Sequence, residues 1–95
     1  MMFIYRYVIQ IISTPHNAII RSYDDVNRGA EMFYRDYYYE YDHKFTVTIA
    51  SLHKCRYFND KLSARSYHDM LSKEGFDAKI IKITYKPICR ESIEV

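Results

Sequence analysis

His53 and Cys55 stand two positions apart, and His43 lies ten positions earlier. Zinc draws on such side chains, but a closed tetrahedral site needs about four of them, and this pair has no further ligand grouped with it. His68 and Asp69 are adjacent, which on a helix turns their side chains about 100° apart and prevents them from acting on one atom. Ser63 and Ser66 lack the strained strand-to-helix elbow that exposes a nucleophile. These patterns predict no enzyme, no cofactor and no metal site.

The tract from Phe33 to Lys44, FYRDYYYEYDHK, is the most unusual part of the chain. Phe33, Tyr37 and Tyr41 recur at helical spacing and continue a stripe begun by Val26 and Ala30. Ser22 and Asp25 have the spacing of a capping box, so the sequence predicts a helix from Ser22 through this tract. One inward strip cannot conceal so many rings. Exposed tyrosine offers large contact area with few rotamers and a polar tip. Tyr34, Asp36, Tyr38, Tyr39 and Glu40 are therefore the expected partner-binding residues.

Charge is segregated along the chain. The segment Ser22–His43 carries a balance of −4, Lys44–Arg90 carries +6, and the whole chain is +2. The acids around the tyrosines would repel phosphates, so a nucleic-acid role would fall to Lys54, Arg56, Lys61, Arg65, Lys79, Lys82 and Lys86. An overall pI near 8.5 is modest for a dedicated nucleic-acid binder.

These residues need elements to position them. Phe3 to Ile12 alternates, with Phe3, Tyr5, Tyr7, Ile9 and Ile11 on one side, as a strand does. Ser13 to Asn17 carries turn chemistry, and Ala18 to Ser22 reads either as a short strand paired back on the first or as the approach to the helix. Phe45 to Ile49 is a β-branched and aromatic strand with Phe45, Val47 and Ile49 inward. Asn59 or Asp60 caps a second helix whose stripe is Leu62, Tyr67, Met70 and Leu71, and Gly75 ends it. Ala78 to Tyr85 is a further strand, and residues 88–95 form a loose tail or an edge segment bearing Cys89.

The expected architecture is one α+β domain over residues 1–95: a small, mostly antiparallel sheet of 3–4 strands with two helices on one face. A strand near Arg56 would make it ferredoxin-like. Area scaling gives such a chain a folded surface of roughly 5,800 Å². The apolar run Met1–Ile12 is interrupted by Arg6 and Gln10 and is shorter than the roughly 20 residues a spanning helix needs. With Cys55 and Cys89 unpaired by spacing and no export signal, the expected setting is the cytoplasm.

Two stretches resemble known families. FTVTIASLHKCRYFNDKLSARSYHDMLSKEGFDAKIIKI, from Phe45 to Ile83, is similar to the second half of ferredoxin-like modules such as SPOR domains, whose peptidoglycan-binding role would imply export. HNAIIRSYDDVNRGAEMFYRD, from His16 to Asp36, is similar to the opening strand and helix of the glyoxalase superfamily, where His16 would fall at a metal-ligand position. The second half departs from the glyoxalase pattern by expecting a helix in place of strands. Phe, Tyr, Ile, Asn and Lys make up 38 of 95 residues, a bias common in short reading frames of phages and mobile elements. Together these features predict a small cytoplasmic protein-binding module that regulates or inhibits a larger host complex by occupying its surface. Homodimerisation through a sheet edge or open face is a further expectation.

Overall fold

The computed structural model describes residues 4–22, 31–85 and 90–95. Its strands are β1 (Ile4–Ser13), β2 (Ile19–Ser22), β3 (Met32–Glu40), β4 (His43–Ile49), β5 (Asp77–Tyr85) and β6 (Arg90–Glu94), and its helix is α1 (Lys61–Lys73). They form a single six-stranded sheet in the order β2-β4-β3-β1-β5-β6. β2 runs parallel to β4, and the other neighbouring pairs are antiparallel.

This corrects the expected sheet of 3–4 strands with two helices on one face. The predicted first helix is overturned where it can be followed: Met32–Glu40 is strand, while its proposed cap and first turns, residues 23–30, lie outside the described residues. The physical reason is period. Aromatic residues favour strands, and alternation divides Phe33 and Tyr34 between two buried faces, whereas on a helix the two rings would lie about 100° apart and a single inward strip could not bury both. The strand order also differs from a ferredoxin-like sheet. Ala18–Ser22 does supply a strand, but its partner is β4, not β1. The last residues form edge strand β6 against β5.

β1 occupies the centre of the sheet and is buried on both sides. Ile9 and Ile11 pack with Tyr34, Phe58, Ala64, Leu71, Phe76 and Ile80 on the helix side. Val8 packs with Phe33, Ile49, Cys55 and Ile83 on the other. Asp60 caps α1 by accepting from the Ser63 N–H at 2.8 Å. Ala64 and Leu71 are its buried residues, whereas Leu62 of the predicted stripe is 77% exposed. Gly75 ends the helix at φ +98°, a backbone angle that favours glycine, and a Cβ there would stand 3.2 Å from Pro15 Cβ, tighter than ordinary contact.

Among the described residues, no helix supplies the second layer on the face opposite α1. The chain after β4 does so instead, with Leu52, Cys55 and Tyr57 lying against that core. It then rises between β1 and β3. Those strands pair only at Gln10↔Phe33 and Ile11↔Met32, and below this point the Arg56 N–H donates to the Tyr34 carbonyl at 3.1 Å while Phe58 and Tyr7 exchange bonds of 2.9 and 2.8 Å. The linker thus fills the gap as a strand-like wedge and delivers Phe58 to the helix side. The surface, 6615 Å², exceeds the scaling value, as expected for a body measuring 49 × 30 × 20 Å.

Candidate interaction site on the β3–β4 hairpin

The tyrosine tract lies on the hairpin of β3 and β4. A register shift between Tyr34 and Asp36 marks a bulge at Arg35, after which Tyr37 faces Thr46, Tyr38 faces Phe45 and Tyr39 faces Lys44. Tyr34, offered by the sequence as a contact residue, is fully buried. Burial raises its phenol pKa, with a further upward push from Asp36. Tyr38 is half-buried, stacked on Phe45 with centroids 5.0 Å apart and planes within 3°. Arg21 lies over both rings at 5.9 and 5.7 Å. Asp36 accepts from the Tyr37 N–H at 2.8 Å and is 3.8 Å from Arg56. The structure therefore brings Tyr39 and Glu40 together at the hairpin's exposed end, buries Tyr34, half-buries Tyr38, and leaves Asp36 exposed beside Arg56.

On the helix side, Lys44 Nζ bonds Glu74 at 2.7 Å and lies 4.3 Å over the Tyr37 ring. Tyr37 meets Tyr39 edge-on at 6.1 Å. These contacts tie the hairpin to the C-terminal end of α1. Beyond them, Tyr39 and Tyr41 at the tip of the hairpin are exposed, at 66% and 89%. Glu40 pairs with His43 across a two-residue turn in which Tyr41 has φ 50° and Asp42 φ 62°. Two left-handed central residues define a type I′ turn, whose usual occupants are Asn and Gly. Asp tolerates that region, but a bulky tyrosine is strained there by about 1–2 kcal/mol. Under the turn lies a cleft of about 400 Å³ whose lining includes Ile19, Asp42, His43, Lys44, Glu74 and Phe76.

Sequence reading assigned Tyr41 to the core and did not choose Asp42. The signal lay in the pair itself, since two polar-tipped residues between β-forming runs are what a hairpin turn uses. Among the described residues, neither Glu40 nor Asp42 has a cation within ion-pair distance, so the tip is aromatic and acidic.

The basic set is dispersed by comparison. Arg56 stacks over Tyr67 at 4.8 Å, Lys79 pairs with Glu94 at 3.3 Å, and Lys82 covers the Tyr5 ring at 4.3 Å. Lys61 and Arg65 are exposed on α1, Lys54 is exposed on the linker, and Lys86 lies outside the described residues. His53 is exposed while Cys55 is buried, so the pair does not converge. His68 Nε2 donates to the Ala78 carbonyl at 2.8 Å, a packing role. Ser63 serves the helix cap, its hydroxyl 3.1 Å from Asp60.

Cys55 contacts the Leu52 carbonyl at 3.3 Å, and burial pushes its thiol pKa up to about 11. The thiolate is the reactive form. In folded protein at neutral pH, Cys55 should therefore alkylate far more slowly than a model thiol and should react at the ordinary rate in denaturant. Mass-resolved labelling of a Cys89→Ser variant would measure both rates, and fast native labelling would contradict the burial. No helix among the described residues is long and apolar enough to cross a membrane. No family model, curated protein or solved structure matches the chain.

Proposed function

We propose that this chain is a protein-binding module that occupies a basic surface of a larger protein through the tip of its β3–β4 hairpin. The carrying observation is Tyr41, 89% exposed and held at φ 50°. Exposure alone is ordinary for one apolar residue, but a ring held outward on strained backbone has no benefit to the isolated fold. Strain of this kind concentrates at recognition sites. Tyr39 beside it adds area, and Glu40 and Asp42 favour arginine or lysine in the partner over phosphate. The contacts of Lys44 and Arg21 fix both sides of the hairpin, so little ordering accompanies docking. Cytoplasmic action accords with this reading, because Cys55 is a buried free thiol.

The test pairs stability with capture from the native source. Tyr39→Ala with Tyr41→Ala should leave stability within about 1 kcal/mol and abolish retention of proteins held by wild type. Unchanged retention would overturn the reading. Replacing the turn by Tyr41→Asn and Asp42→Gly should raise stability by about 1 kcal/mol through relief of the left-handed tyrosine, while still weakening capture. A stabilised turn with undiminished binding would assign the strain no role in recognition.

A further inference from the structure

Among the described residues the sheet ends at β6, and its pairing with β5 fixes the direction of its backbone groups. β6 pairs with β5 from Ile81↔Glu94 to Tyr85↔Arg90 without a register shift. The Val95 N–H donates to the Ile80 carbonyl at 3.0 Å. In an antiparallel ladder such a bond flanks a non-hydrogen-bonded pair, so Ile81 and Glu94 form that kind of pair. Alternation follows along the strand. Glu91, Ile93 and Val95 turn their N–H and C=O groups toward β5, while Arg90, Ser92 and Glu94 turn theirs away from the sheet.

We infer that this edge recognises a second copy of the same chain, with two β6 strands antiparallel about a two-fold axis at Ser92. An isologous contact requires that the surface complement itself, and the order Arg90, Ser92, Glu94 does so in one register. Centring on Ser92 sets Ser92 opposite its own copy and Arg90 opposite Glu94 of the other chain, twice, with each Glu94 also held by Lys79 of its own chain at 3.3 Å. All outward-facing groups of the three residues then exchange hydrogen bonds. Shifting the centre to Glu91 or Ile93 still aligns outward groups but leaves one residue of the three unmatched and removes both facing opposite charges. The outward positions of β6 also carry neither Pro nor Lys, the usual protections of an open edge. A partner of another sequence would have no reason to match this palindrome of charge.

Three variants test the inference in the full chain, with folding monitored by circular dichroism and mass by sedimentation. Wild type should show a concentration-dependent monomer–dimer equilibrium. Arg90→Glu alone and Glu94→Arg alone each make both facing pairs repulsive and should weaken dimerisation by about tenfold or more. Mixing the two variants restores opposite charges at both pairs, so a heterodimer should form where neither variant self-associates. Ser92→Pro removes an outward N–H and spares the β5 ladder, a position where an edge strand accepts proline, and should be monomeric. The inference fails if wild type remains monomeric at the highest soluble concentration, if the mixture does not associate, or if folded Ser92→Pro dimerises like wild type.

Discussion

Tyr34→Ala should destabilise the domain by about 3–5 kcal/mol, the range for removing a large buried ring, whereas Tyr34→Phe should be neutral or slightly stabilising. Tyr34 is fully buried, with its ring 5.8 Å from that of Tyr67. Its hydroxyl is enclosed and has no hydrogen-bond partner among the described residues. The ring supplies the packing, and the oxygen carries a desolvation cost that phenylalanine would remove. With total stability expected at about 5–14 kcal/mol for a chain of this length, the alanine variant would approach marginality. Urea midpoints for the two variants give a direct reading. A Tyr34→Ala loss below about 1 kcal/mol, the level of a surface change, would place the ring outside the core.

The same residue gives the domain a direction of pH response. Burial raises the Tyr34 phenol above its ordinary value of 10.0, and burial raises Cys55 from 9.0 to about 11. For a group whose folded pKa is raised, the stabilising contribution is complete below the unfolded pKa and is lost as pH rises toward the folded value. Stability should accordingly decline above about pH 9 as unfolded chains release protons first. Tyr34→Phe should flatten the part of this decline above pH 10, and an unchanged alkaline profile would show that the phenol titrates freely.

Tyr34 also shows where the sequence could and could not be read. Within α1 the local signals agreed: Asp60 caps it, Leu71 is buried and Gly75 ends it. Phe45–Ile49 and Ala78–Tyr85 likewise announce strands by alternation, and both lie within strands of the structure. In the tyrosine tract two periods compete. Phe33, Tyr37 and Tyr41 satisfy a helix by spacing, yet alternation places Phe33 and Tyr34 in separate cores. A strand buried on both faces has no polar side to betray it, so the period-two reading leaves no clear mark at Phe33–Tyr34. The exposed end of the hairpin follows from that change of period: Tyr41 becomes a turn residue and moves from the expected core to the most accessible aromatic position described.

The linker was the least legible stretch because its structure depends on distant residues. Arg56 and Phe58 complete hydrogen bonds to Tyr34 and Tyr7, partners more than 20 positions earlier, and no local pattern encodes such pairing. This nonlocality leads to a prediction for Phe58→Ala, expected to cost about 3–5 kcal/mol. Phe58 is 5% exposed and its ring lies 5.1 Å from Tyr67. Removing it should loosen the wedge before it loosens α1, since β1 and β3 have only two paired positions to hold them together beyond the wedge. Hydrogen exchange should therefore accelerate first at the amides of Tyr7, Arg56 and Phe58, while those bonded within α1 keep more of their protection. Leu62→Ala, at a helix position 77% exposed, serves as the comparison and should change stability by no more than about 0.5 kcal/mol. Equal costs for the two substitutions would show that the linker merely lies along the sheet, whereas a large cost confined to Phe58 with early exchange at Tyr7 identifies it as the piece that joins the two halves of the sheet.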